Sequence, residues 1–594
     1  MPLRRRKARL KARAGKTAFS GYGAVDGRLP ASELARQLLR KAFPDHWSFL
    51  LGEIALYTFV VLLLTGVYLT LFFDPSMMES VYTGSYVPLQ GVRMTRAYTT
   101  TLDISFVVRG GLLIRQIHHW AALVFVAAIA VHLLRIFFTG AFRKPREANW
   151  VVGVTLFVLA LLEGFAGYSL PDDLLSGTGL RTAATIVGSI PVVGTYLELF
   201  VFGGQFPGHA VIPRLYPVHI LLVPGLIVAL ITAHLILVVY LKHTHWAGQG
   251  KTNQNAVGSP AFPHFTAKTT GFFLMVFGVL TLLGALAQIN PVWNYGPYRA
   301  NQVSGNAQPD WYVGFLEGAL RLMPPWETDF AGHTIMWNVF IPAIALPGVV
   351  FTVLFLYPFF EKWVTSDRGE HHLCDRPRNR PTRTGLGVAA IVFYAVLLVA
   401  GGNDVVAFSF RVSVEAMIWI LRTALIAAPL LAFALTKRLC LALQMRDRRR
   451  LTEGEETGQV TQSVNGDLSE SRRSLSPTAR YRILMRDVPT PLDLPAEGSI
   501  SSRRRLRTVL SGWYYGDLVE LPVTEEQRSR IAERTTPPEP VREREEREPP
   551  SALDTHVLED HSQHPRQDQA QPDQEQPQTE HHTEDEQGHP RSCQ

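Results

Sequence analysis

The chain has 594 residues, with 58 Lys and Arg against 51 Asp and Glu and a net charge of +7. Several nearly uncharged apolar runs have the roughly 20 residues needed to cross about 30 Å of hydrocarbon, which excludes an ordinary water-soluble multidomain protein. The positive charge collects where anionic lipid attracts it, so nucleic acid is not needed to explain it. The three cysteines, Cys374, Cys440 and Cys593, fall on one expected side of the membrane and suggest no disulfide framework.

In chain order, the first sixteen residues hold eight Lys or Arg. No short apolar core and cleavage site follows, so this basic stretch is expected to stay in the mature chain. In "LPASELARQLLRKAFPDHWSF" (29–49), Leu34, Leu38, Leu39 and Phe43 fall roughly on one face, which suits a helix lying along the membrane interface or a simple lead-in to the first span. Eight spans are expected at about 49–73, 112–137, 149–170, 218–241, 270–289, 335–360, 384–401 and 411–436. Basic residues cluster after the second span (Arg143, Lys144, Arg146), after the sixth (Lys362, Arg368, Arg376, Arg378, Arg380, Arg383) and after the eighth. The excess of Lys and Arg in cytoplasmic loops then places both termini in the cytoplasm. From about residue 450 the chain is polar and poor in aromatics, and is expected to be mostly disordered. One less polar patch, "RRLRTVLSGWYYGDLVELP" (504–522), suits docking on a partner. The tail histidines (His556, His561, His564, His581, His582, His589) are scattered among Gln and Glu and read as solvated residues, not a metal site.

The second expected span places histidines at 118, 119 and 132, and the fourth at 219 and 234. A helix rises 1.5 Å and turns about 100° per residue, so fourteen residues give about 21 Å and about 40° short of whole turns, and fifteen about 22 Å and about 60° over. His132 and one of His118 or His119 therefore share a face, as do His219 and His234. Both helices enter from the outer side, which sets one imidazole from each at an outer and at an inner level. One membrane histidine is often a hydrogen-bonded core residue; four at matched depth on two helices suit two axial pairs for iron in a flat macrocycle such as haem b. Gly52 and Gly66 in span one, and Gly153 and Gly167 in span three, are also fourteen apart. Missing side chains there would allow close approach to such a group, although glycine also serves ordinary helix packing. Arg115 and Arg135 are placed either to pair with haem propionates or to snorkel to the interface.

His118/His132, His219/His234, the two glycine pairs, "GYSLP" (167–171), and "PDWY" (309–312) followed by "PPWE" (324–327) together resemble the cytochrome b subunit of quinol–cytochrome c reductases over about residues 30–440. The "RQIH" context matches the family's first haem ligand and favours His118 over His119. The sequence differs from the family pattern in three places. Asp310 stands where the family has Glu, the second histidine pair is spaced by fifteen, and "LPDD" (170–173) lacks the Trp often found after this Pro. Pro224 lies inside the longer interval, where a missing backbone donor suits a local bulge that absorbs one residue. The uninterrupted eight spans, basic N-terminus and long tail look most like actinobacterial members.

The resemblance implies an all-α membrane protein of eight transmembrane helices in a bacterial cell membrane. Residues 1–47 are then a basic N-terminus with a surface helix, 48–245 a dihaem four-helix bundle, 246–440 a four-span region with the quinol loop, and 441–594 a cytoplasmic tail. It also implies two b haems, of low potential on His118/His219 and high potential on His132/His234. Quinol, usually menaquinol, would be oxidised at an outer site beside Pro309, Asp310, Trp311, Tyr312 and Glu317. One electron would pass to a Rieske iron–sulfur subunit and one across the membrane to an inner quinone, contributing to proton motive force. A carboxylate there can accept the quinol proton, and a helical stretch would set Asp310 and Glu317 on one face. Tyr168 is a further hydrogen-bond candidate, and His46, His243 and Lys251 lie on the inner side. A cytochrome c subunit, a cytochrome c oxidase, membrane lipid and a second copy of the chain are the implied partners. Two other readings compete. A haem-b anchor of a quinone-linked dehydrogenase would not need the "PDWY" loop, and a proton-coupled transporter would not need matched histidine spacing.

Overall fold

The computed structural model describes residues 39–530 except 205, 249, 303–307, 487, 494–500, 525 and 528–529. Of the expected surface helix at 29–49, residues 29–38 lie outside the described residues, and the rest does not continue it: Ala42–Phe43 pairs as a short strand with Ser259–Pro260, and Trp47–Phe49 is a single tight turn leading into the first span. All described residues belong to one compact unit, 1–537.

Eight helices are long and apolar enough to cross a membrane: Trp47–Thr70, Gly111–Thr139, Glu147–Ser169, Val211–Tyr240, Ala261–Leu286, Trp337–Thr365, Pro381–Gly401 and Val414–Glu453. They are named spans one to eight. With only short two-stranded ribbons among the described residues, the protein is an all-α integral membrane protein. Apolar runs impose this because lipid offers no partners for backbone amides, and a helix satisfies its own.

Span eight runs well past its apolar part. Ser413 caps its start by accepting from Ala416 N, and the Leu- and Arg-rich stretch at 437–453 favours helix regardless of hydropathy. Span two ends at Gly140, where φ is +64°. A Cβ there would lie 2.8 Å from an Arg383 guanidinium nitrogen, so both backbone and space call for glycine.

Span one packs along span two, span five joins that pair, spans three and four pack together, and spans seven and eight form the largest helix pair. A loop helix, Gly314–Leu322, lies against span seven. Gly318 sits so close that a Cβ would meet Leu397 O at 1.8 Å.

In span four the helix widens at Val218–Leu222, where Val223 N bonds to Val218 O. This i→i−5 turn directly precedes Pro224, whose ring nitrogen has no proton to give. It absorbs one residue, so the fifteen-residue interval from His219 to His234 acts as fourteen, the spacing of His118 and His132.

The tail differs in part from the expected disorder. Glu455–Gln462 and Leu468–Arg473 form a hairpin, and Pro477–Leu484 and Ser502–Tyr515 are helical. The less polar patch docks on the chain itself: Tyr514 and Tyr515 bury against Val364 of span six, beside Trp363 and Leu510. Aromatic area removed from water outweighs the ordering entropy of this short helix.

Beneath it lies a buried charge cluster. Asp375 Oδ2 accepts from Arg143, Arg380 and Arg383 at 2.8, 3.1 and 2.6 Å. Arg383 also reaches Glu361 at 3.2 Å, and the Tyr514 hydroxyl donates to the other Glu361 oxygen at 2.6 Å. Burial pushes the Asp375 carboxyl up, but the three guanidiniums outweigh it and hold it well below the usual carboxylate range.

Candidate haem and quinol sites

Spans two and four bring their histidines face to face at two levels. The rings of His118 and His219 have centroids 6.3 Å apart at 81°, and those of His132 and His234 are 6.5 Å apart at 73°. Metal–imidazole nitrogen bonds of about 2 Å on both sides of one atom give a separation of this size. Among the described residues no cluster of three or more His, Cys, Asp or Glu could hold a bare metal ion. Two opposed imidazoles instead suit a metal whose remaining ligands come with it, as in haem.

Each of the four glycines faces one of these rings. A Cβ at Gly52, Gly66, Gly153 or Gly167 would lie 3.1, 3.3, 3.8 or 2.4 Å from Cε1 of His132, His118, His234 or His219 respectively. Span one thus makes room for the rings of span two, and span three for those of span four.

The far side of the rings is set by polar neighbours. Thr65 Oγ1 donates to Val61 O at 2.7 Å and lies 2.9 Å from His118 Nδ1, so it is placed to accept the Nδ1 proton and leave Nε2 with the free lone pair. Glu163 Oε1 lies 2.9 Å from His219 Nδ1. Thr65 and Glu163 were not singled out from the sequence. An acid within an apolar span is itself a signal, since charge in hydrocarbon is expensive, and Glu163 stands one turn before Gly167. Arg115 is at the same level and donates to Asn290 O at 3.0 Å. Arg135 lies beyond His132, with its guanidinium 4.4 Å from the Phe49 ring centre, and its buried Nε has no partner among the described residues. Both have donors suited to carboxylates such as haem propionates.

A cavity of about 240 Å³ beside the first pair is lined by His118, His119, His219, Glu163, Tyr168, Asp310 and Tyr312. The Tyr312 hydroxyl donates to Asp310 Oδ2 at 3.2 Å, and the other Asp310 oxygen lies 3.8 Å from His119 Nε2. Tyr312 is buried, and a Cβ at Gly164 would lie 2.6 Å from its hydroxyl oxygen. Of the other loop residues, Pro309 is half-buried, and Trp311 is exposed with its carbonyl accepting from Tyr394.

Glu317 does not join them. Its helix begins only at Gly314, so it shares no helix face with Asp310. It pairs with Arg321, which also reaches Asp404 at 2.7 Å. Burial pushes the Glu317 carboxyl up, against the pull of Arg321.

At the other end, a second cavity of about 350 Å³ brings together His46 and Lys251 with Phe49, His245 and Trp246. His243 does not line it and packs on Phe43. In "LPDD", Asp172 adopts a φ of +57° and Asp173 caps the helix Leu174–Gly188, so this sequence turns the chain where the family pattern has Trp.

Eight membrane helices with imidazoles paired at two levels define a membrane-embedded electron carrier. The description "Cytochrome b(N-terminal)/b6/petB" matches residues 123–297. The cytochrome bc1 complex cytochrome b subunit of Streptomyces coelicolor is 52% identical over 505 residues, covering 84% of this chain and 92% of that relative. That of Mycobacterium bovis is 54% identical over 458 residues, covering 77% and 83%. A solved hyperthermophilic respiratory Complex III chain shares the fold, with a TM-score of 0.53 at 20% identity, over 70% of this chain and 98% of that one. The chain belongs to the cytochrome b subunits of cytochrome bc1 complexes. It is an oxidoreductase subunit of respiratory electron transport.

Proposed function

We propose that the protein is the cytochrome b subunit of a bacterial quinol–cytochrome c reductase that oxidises menaquinol near His118 and His219 and delivers electrons to the His132/His234 level. The observation that carries the reading is the pair of facing imidazole sets, each ring opposed by a glycine. His118 with His219 would hold the low-potential haem b, and His132 with His234 the high-potential one. When bound, these groups would supply one-electron carriers at two levels of the bundle, set by histidines fourteen residues apart along span two.

The chain's own residues position the substrate and handle its protons. Asp310 accepts a quinol proton, and the buried Tyr312 hydroxyl holds that carboxylate in place. Pro309 and Trp311 shape the loop, and Glu317 steadies it through Arg321. Arg115 and Arg135 receive propionates. The cavity holding His46 and Lys251 takes the second quinone. One electron leaves to a Rieske iron–sulfur subunit and on to a cytochrome c subunit, with a cytochrome c oxidase adjoining. The protein works as a homodimer in the plasma membrane with both termini cytoplasmic. The excess of Lys and Arg in alternate loops supports that orientation.

A reduced-minus-oxidised spectrum of the purified complex tests the core of this proposal. Two b haems per chain are expected, with loss of at least one in His219→Ala and in His132→Ala. Full pigment in both variants would refute it. For the quinol pocket, Asp310→Asn is expected to slow quinol-driven cytochrome c reduction by about 10²-fold or more with both haems retained, and unchanged turnover would rule out Asp310 as proton acceptor.

A further inference from the structure

Glu163 lies inside an apolar span, between Leu161, Leu162 and Phe165. A carboxylate there is costly unless something specific holds it. Its Oε1 lies 2.9 Å from His219 Nδ1, within ion-pair reach but off the hydrogen-bond direction, while its buried Oε2 has no partner among the described residues. Gly167, one turn on, leaves the His219 ring the space to stand in this position. The four imidazoles are not treated alike. Thr65 offers His118 a neutral hydroxyl, and among the described residues His219 alone of the four pairs with a carboxylate.

We infer that Glu163 is a positioning residue that lowers the reduction potential of the haem held by His118 and His219. This rests on the haem reading proposed above. Two physical effects act in the same direction. A carboxylate this close to Nδ1 draws the proton to that nitrogen and makes Nε2 a stronger donor, which favours ferric over ferrous iron. Its negative charge, in a medium of low dielectric, also favours the more positive oxidation state. Because the pull acts at one level only, it sets a potential step between two sites with the same nominal ligands. Electrons arriving at the His118/His219 level are thereby biased toward the His132/His234 level.

The test is an optical redox titration of the intact complex carrying Glu163→Gln or Glu163→Asp. In Glu163→Gln one b-haem midpoint is expected to rise by the equivalent of about tenfold in the ferric-to-ferrous ratio, about 59 mV for one electron, while the other stays put. Glu163→Asp draws the carboxylate back by one methylene and is expected to give a smaller rise at the same haem. Two unmoved midpoints with both haems bound, or equal shifts at both, overturn the inference. Where Glu163→Gln fails to retain pigment, Glu163→Asp carries the test, and a wild-type midpoint there overturns it equally. Full pigment in His219→Ala removes the haem assignment itself, a result distinguishable from either.

Discussion

At the scale of single residues, the glycines opposite the histidines are not equivalent. A methyl at Gly167 would stand 2.4 Å from the His219 ring, inside any tolerable contact, whereas one at Gly153 would stand 3.8 Å from His234, an ordinary distance. Gly167→Ala is therefore expected to displace His219 and lose b-haem absorbance, and Gly153→Ala to retain it, as read from pigment per protein. Asp172 gives a pH signature. Burial pushes its carboxyl from the ordinary 3.8 to about 7, with Asp173 adding to the rise and the Thr95 hydroxyl opposing it. Between those values the native protein holds a proton that the unfolded chain has released, so stability falls as pH rises through this window. Asp172→Asn tolerates the positive φ and is expected to flatten that slope in thermal unfolding of the detergent-solubilised protein. The histidines and glycines were legible because their spacing repeats. Thr65 and Glu163 were not, since their role depends on how one helix is rotated against its neighbour, and no spacing within one helix encodes that. The shared face expected for Asp310 and Glu317 depended on a helical stretch, and it is absent because the helix starts only at Gly314 and Arg321 holds the second acid.

At the scale of elements, span four carries the most informative irregularity. The extra residue between His219 and His234 is taken up at Val218–Leu222, before Pro224. Deleting Leu222 is expected to convert this turn to regular helix and keep both histidines in register, with both haems retained in the spectrum. Deleting Ala229, beyond the wide turn, leaves the turn in place and rotates His234 by about 100°, so one haem is expected to be lost. The proline and the odd spacing together made this bulge legible. Span boundaries were less so. Span eight reaches Glu453 because helix propensity carries it on and Gly454, at a φ of +92°, stops it; apolarity does not decide where it ends.

At the scale of the molecule, the eight spans could be read because hydrocarbon thickness fixes their length. In the tail only the less polar patch at 504–522, with its aromatics at 513–515, stood out, while the hairpin and the helix Pro477–Leu484 before it could not be read, since their composition is as polar as the rest of the tail. Removing residues 502–594 is expected to uncover Val364 and take the Tyr514 hydroxyl from Glu361, lowering the thermal midpoint while leaving the b-haem spectrum in place. Asp375→Asn leaves three buried guanidiniums without their shared counter-charge, and should destabilise the protein by about 3–5 kcal/mol, measured by denaturant or thermal unfolding in detergent.

The contact between Tyr514 and Glu361 also orders events during synthesis. Span six is made roughly 150 residues before the hydroxyl that completes its carboxylate's surroundings. A nascent chain stalled short of residue 502 therefore carries its full set of apolar helices with one acid half-coordinated. Proteases that survey newly made proteins would find a loosened patch at Trp363 and Val364 in such products, and a closed one only in chains translated past Tyr515.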